Sequence, residues 1–250
     1  SNPLANLHIS GNDGILATGT YGSGTASSIG SGMRLMWYPK KGAFRAGEVS
    51  STEWDDVEVG DYSVAMGLGT KASGSGSFAL GQASTASGYC AVAIGENTQA
   101  IGTRSTAFGR NTQANGPYSV AFGQSTQANG SWSVAFGRNT TASGQSSVAT
   151  GENNTSSGAN SFTSGIDNLA SGYNSFALGD FSNATGSSSF ALGTHVNADG
   201  LTSFAIGGNI DVDGNNSIGL NLNSNNSVNL TQNNTMAIMG GKVGIGTVTP

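Results

Sequence analysis

The chain has 250 residues, of which 40 are glycine, four proline and one cysteine; only 9% are charged, and the net charge is −5. That balance leaves no basic footprint for nucleic acid or an anionic membrane, no apolar run is long enough to span a bilayer, and the lone Cys90 can form no intrachain disulfide. So glycine-rich a chain could pass for low-complexity disorder, but its glycines keep a strict register and must be structural.

Residues 1–59 stand outside that register and are expected to form an N-terminal cap or tip with short strands and a hairpin. Beginning at Ser1, with neither a methionine nor a signal-like segment, the chain reads as part of something longer. Leu7-His8-Ile9 and Gly14-Ile15-Leu16 read as short strands around a Gly-Asn-Asp-Gly turn. Arg34-Leu35-Met36-Trp37-Tyr38, then Pro39-Lys40-Lys41-Gly42, then Ala43-Phe44-Arg45-Ala46 reads as a hairpin with a proline-glycine turn. Four of the nine basic residues (Arg34, Lys40, Lys41, Arg45) lie here, followed by acidic Glu48, Glu53, Asp55, Asp56, Glu58 and Asp61. Such a segment either presents a ligand-binding tip or caps the open end of the glycine-registered region and pairs its own charges.

From Gly60 to Gly214 one 14-residue unit repeats for eleven periods, with a second glycine seven residues after the first in each. A period of 14 is too short for a helical pair and fits a solenoid coil of two short strands and two turns, so residues 60–213 are expected to be an all-β roll. Glycine twice per period argues against helix, at about 1 kcal/mol each relative to alanine, and suggests turns that need positive φ.

Alternation with period two assigns the faces of each coil. Counting from the first glycine, positions 3 and 5 are small, as in Ser119 and Ala121, and so are positions 10 and 12, as in Thr126 and Ala128. A coil this short encloses a thin lumen, and the small files belong inside it. Positions 4 and 6 are bulky and must point outward on one side: Val64 and Met66, Phe78 and Leu80, Val92 and Ile94, Phe108, Val120 and Phe122, Val134 and Phe136, Phe176 and Leu178, Phe190 and Leu192, Phe204 and Ile206. Eleven such pairs expose on the order of 1,000 Å² of apolar ribbon, more than a soluble monomer shows. At roughly 1.5–3 kcal/mol per large side chain buried, association through the ribbon is expected to be obligate. No pair holds two phenylalanines, so summed volume stays nearly constant, as packing around a confined axis requires.

Two departures from the pattern are candidate sites. At Thr150 and Ser164 position 6 becomes polar in successive coils, and three copies near an axis would hold ordered water or an anion. Tyr62, Tyr89, Tyr118, Trp132 and Tyr173 fall one or two residues after a repeat glycine and could form an aromatic ladder for glycans or a matrix protein, or pack against the next subunit.

After Gly214, Asn216-Ser217-Ile218 and Asn226-Ser227-Val228 lie ten residues apart, so the coils of residues 214–250 are expected to shorten and taper. Asp211-Val212-Asp213-Gly214-Asn215, with Asp199 one coil away, looks like the start of a calcium loop but lacks the closing glutamate, and no metal site is assigned. His8 and His195 have no nucleophile at a recognised spacing, so neither catalysis nor a cofactor is expected.

The runs Ser119-Val120-Ala121-Phe122-Gly123 and Ala91-Val92-Ala93-Ile94-Gly95, each followed by Ser or Thr and then Ala, resemble the head repeat of the YadA-like trimeric autotransporter adhesins. The resemblance implies a left-handed parallel β-roll, a homotrimer around one axis, and display on the outer surface of a bacterium as an adhesin. The terminal Val243-Gly244-Ile245-Gly246-Thr247, ending at Pro250, resembles a connector of modular bacterial surface and tail-fibre proteins. A shaft of a phage or contractile-injection tail fibre is therefore a second expectation. An ice-binding solenoid is a third, disfavoured because the Thr98, Thr112, Thr126 and Thr140 file faces inward by parity with the alanines.

Overall fold

A computed structural model describes residues 15–24 and 30–241. Two strands, β1 (Gly32–Tyr38) and β2 (Ala43–Val49), pair antiparallel around a single 3-10 turn at Pro39–Lys41, closed by Gly42 in the left-handed region. Beyond it everything is parallel. β2 pairs with Val64–Leu68, which pairs with Phe78–Gln82, and so on every 14 residues to Phe204–Val212 and Ile218–Asn221. A second file of two-residue strands, from Lys71–Ala72 to Asn183–Ala184, forms the opposite wall. The protein is thus an all-β parallel solenoid with 14-residue coils. At ~4.8 Å per coil the eleven regular periods run about 53 Å.

Small residues fill the lumen because the walls leave room for nothing larger. Ala121, Ala128, Ser119 and Thr126 are all fully buried, and the same positions repeat in the neighbouring coils. Several of the serines satisfy their hydroxyls locally, as Ser133 and Ser175 do by donating to the carbonyls of Gly130 and Gly172 at 2.7 Å.

The glycines work differently from the turn role their spacing suggests. First glycines such as Gly116 do not have positive φ; a Cβ there would overlap the backbone of Gly130 in the next coil. Second glycines such as Gly123 combine positive φ (126°) with the same close approach, to Gly137. The corners themselves are left-handed at positions 2 and 9, and other residues occupy them: Tyr118 (φ 58°), Ser125 (56°), Trp132 (56°) and Asn139 (53°). Each costs about 1–2 kcal/mol of backbone strain. Coil-to-coil bonds offset it, both backbone (Trp132 N–H to the Pro117 carbonyl, 2.9 Å) and amide ladders (Asn97 to Asn111, 2.8 Å).

The N-terminal end of the lumen is closed by a charged side chain. Arg45 stands in register with Ala65, so its guanidinium enters the lumen, where it is fully buried. It donates to the Phe44, Ser63 and Ala72 carbonyls and to the Ser63 hydroxyl at 2.8–3.0 Å, so the buried charge meets four acceptors where the lumen ends. Burial pushes its pKa down to about 10. Trp54 lies over the same end, its indole N–H on the Thr70 carbonyl at 2.9 Å. Lys40 and Lys41 pair with Asp56 inside the cap, and Lys71 of the first coil pairs with Glu58 across its boundary, so these charges are already partnered.

Four expectations need correction or fall outside. Ile15 and Leu16 form no strand; both side chains are exposed and no neighbouring strand pairs with them. Leu7-His8-Ile9 and the 243–250 connector lie outside the described residues. The C-terminal coils do not shorten to ten residues. Val228 pairs with Ile210 in the second half of the previous coil, and Met236 pairs with Ile218, so the last coil is 18 residues long. Four extra residues between Asn221 and Val228 enlarge a corner, and the similar Asn-Ser-aliphatic triplets occupy different walls. Here Val196, Ile210 and Val212 replace threonine and alanine in the second half of the lumen, and Gly219 replaces the usual alanine because a Cβ would lie 2.6 Å from Ile210 and 2.7 Å from Val212.

Candidate functional site

The outward face of the long strands carries the apolar ribbon. Parallel register stacks each side chain on its counterpart: Phe108 on Phe122 (ring centroids 4.9 Å), Phe122 on Phe136 (5.1 Å), Phe176 on Phe190 (6.2 Å) and Phe190 on Phe204 (4.6 Å). Val120, Phe122 and Phe136 remain 38–50% exposed, in a chain whose interior is alanine. Val64 and Met66, Phe78 and Leu80, Val92 and Ile94, Val134, Leu178, Leu192 and Ile206 share the face through the same ladder. Charged rungs edge it, with Arg110 on Glu96 at 3.5 Å and Arg138 on Glu152.

The ribbon extends further than the repeat announces. Phe44 and Ala46 continue it in register with Val64 and Met66, and across the hairpin Trp37 lies opposite Phe44 and Leu35 opposite Ala46. Met33, Leu35 and Trp37 therefore present 82%, 75% and 45% of their surface on the same side. Their alternation with Arg34, Met36 and Tyr38 was the available signal, obscured by the hairpin's lying outside the 14-residue period.

The phenylalanine stack changes lanes at the polar departure. It runs at position 6 through Phe136 and resumes at position 4 from Phe162, with Thr150 and Ser164 half-buried between. The Thr150 hydroxyl donates to the Thr163 carbonyl at 3.2 Å. Polarity continues through the wall into the lumen, which inspection of the outer file alone misses. Asn154 replaces the usual threonine, donates to the Thr150 and Gly165 carbonyls and accepts from the Asn168 N–H at 2.8 Å. Asn168 repeats the pattern on Ser164, Gly179 and Ser182. Thr163 and Ser156 share a buried hydroxyl pair at 2.8 Å.

At the corner formed by positions 1 and 2 the aromatic residues separate into three groups. Tyr62 stacks on Tyr21 at 5.2 Å, and the Tyr21 hydroxyl donates to Asp61, which raises its pKa to about 12. Tyr89, Tyr118 and Trp132 form one continuous stack because Arg104, at the intervening coil, bridges the first two. Tyr173 stands apart, 55% exposed. The opposite corner carries a pair that sequence reasoning passed over, Phe181 stacked on His195 at 5.1 Å.

Among the described residues no group of three His, Cys, Asp or Glu side chains could hold a metal ion. Asp211 and Asp213 instead accept from Asn197 at 2.5 Å and Asn229 at 2.9 Å. The Thr98, Thr112, Thr126 and Thr140 file is fully buried, so it offers no surface to ice. No helix among the described residues is long and apolar enough to cross a membrane.

A family model described as the YadA head domain repeat, in two copies, matches five successive segments of the chain: residues 59–84, 86–112, 114–140, 142–162 and 170–195. Together these cover just over half the sequence. No curated protein matches the chain.

Proposed function

Because the chain belongs to the YadA head family, we propose that it is the head segment of a trimeric adhesive fibre, displayed outside a bacterial cell and attaching it to a surface without catalysis. The observation that carries this reading is the exposed apolar ribbon. A solenoid that fills its lumen with alanine and turns its phenylalanines outward needs another surface to cover them. Three copies around one axis supply it, each ribbon burying the other two, with Thr150 and Ser164 forming a hydroxyl layer on that axis that accommodates ordered water. The flat outer wall and both left-handed corners are then the surfaces free to meet a ligand such as a glycan or matrix protein.

Attachment is tested by coating beads with the purified chain and measuring retention under flow on cultured cells and on matrix-protein films. The reading expects retention that saturates with coating density and is competed by free chain. Beads held no better than albumin-coated controls on every surface would contradict it.

A further inference from the structure

The aromatic corner ends in a notch, and we propose that Trp132 and the coil that succeeds it bind one pyranose ring of a neutral glycan. The proposal rests on the adhesin reading and names its ligand class.

The stack is built as a rigid wall. The Arg104 guanidinium lies 5.7 Å from the Tyr89 ring and 5.6 Å from that of Tyr118, and it donates to the Tyr118 hydroxyl at 2.8 Å. Tyr118 then stacks on the Trp132 indole at 5.7 Å and 9°. The backbone beneath is fixed by coil-to-coil bonds, from the Trp132 N–H to the Pro117 carbonyl at 2.9 Å and from the Ser146 N–H to the Ser131 carbonyl at 2.8 Å. At the next level the file carries only Ser146, so one indole face is covered and the other is open; Trp132 is 55% exposed, more than Tyr118 at 42%.

One level further stands Asn160, whose side-chain amide donates to Asn174 at 3.1 Å. Two coils separate Trp132 from Asn160, about 10 Å at ~4.8 Å each. That gap takes one ring-shaped layer at ordinary stacking distance, the layer a larger residue at 146 would have filled. A pyranose fits the chemistry on both sides. Its axial C–H face is apolar and stacks on the indole, while its hydroxyls meet the exposed Gln145, Ser146 and Asn160. None of these groups ionises, so a neutral sugar is favoured over an acidic one. Because the wall is fixed before binding, little side-chain freedom is lost on contact.

The test uses the full chain, with its solution mass recorded for every variant. Labelled protein is applied to an array of neutral oligosaccharides built on glucose, galactose and N-acetylglucosamine, with a sialylated set as the charged control. The proposal expects binding to at least one neutral structure, weakened at least about tenfold by Trp132→Ala and by Ser146→Trp, and retained in Phe181→Ala at the opposite corner. Ser146→Trp is the discriminating variant: it leaves Trp132 in place and fills the notch at a corner that already tolerates tryptophan. No neutral glycan bound, or binding indifferent to Ser146→Trp, overturns the proposal. So does a change of solution mass with Trp132→Ala, which would make the indole a subunit contact. In any of these cases beads that still adhere leave the adhesin reading standing, and only their failure removes it.

Discussion

At the level of single residues, the two glycine files and the left-handed corners make opposite demands. Gly116 has ordinary φ but no room, since a Cβ would overlap the Gly130 backbone; Ser125 has room but the wrong φ for an L-residue. Gly116→Ala should therefore destabilise the roll by at least about 3 kcal/mol, because backbone on both sides must shift. Ser125→Gly should stay within about 1 kcal/mol of the parent, the relief of strain being partly cancelled by a more flexible unfolded chain. Thermal melts of the two variants check this contrast, and equal losses would contradict it.

Asp56 belongs to the same scale. The Tyr38 hydroxyl and then Lys40 hold its carboxyl below the usual carboxylate range. A depressed folded pKa means stabilisation that is complete above the unfolded value near 3.8 and lost as pH falls through the lower folded value. Melting temperature should thus fall more steeply over that acid window in the parent than in Asp56→Asn. Parallel acid profiles would show that the Tyr38–Lys40–Asp56 cluster does not stabilise the cap.

At the level of the coil, the lumen holds two kinds of polar group. The Thr126 hydroxyl is buried with no hydrogen-bond partner in the chain, whereas the Asn168 side chain serves three backbone groups. Thr126→Val should be neutral or stabilising. Asn168→Leu should cost on the order of 2–4 kcal/mol by stranding the Ser164 and Gly179 carbonyls and the Ser182 N–H. Chemical denaturation of the two variants separates the cases, and a tolerated Asn168→Leu would show that water can replace the amide.

The same scale shows what could be read from sequence. Alternation with period two separates lumen from surface across the regular coils because the glycine register leaves no freedom to slip. The corner conformations were not legible, since side chains as different as Tyr118 and Ser125 share one backbone geometry. Nor was the 18-residue coil, because Asn216-Ser217-Ile218 and Asn226-Ser227-Val228 carry the same local pattern on different walls and only pairing tells them apart. Arg45 could be counted as one of four clustered basic residues, but its role as a plug depends on register with Ala65.

At the level of the whole molecule, one chain leaves its most apolar surface in water from Trp37 to Ile218. Replacing Phe122 and Phe136 together by aspartate should hold like charges in the middle of the shared axis and separate the chains, while the lumen and its β signature survive. Circular dichroism beside mass measurement tests that separation of roles. If secondary structure and assembly are lost together, the coils do not stand without their partners, and the ribbon is part of folding as well as of association.

The most direct test of the central claim is the absolute mass of the parent chain by light scattering across a dilution series. The account predicts a mass of three chains that persists on dilution, with the ribbons buried against one another. A stable single chain of 24.9 kDa would contradict it, because a ribbon that remains in water cannot be the surface that builds the fibre.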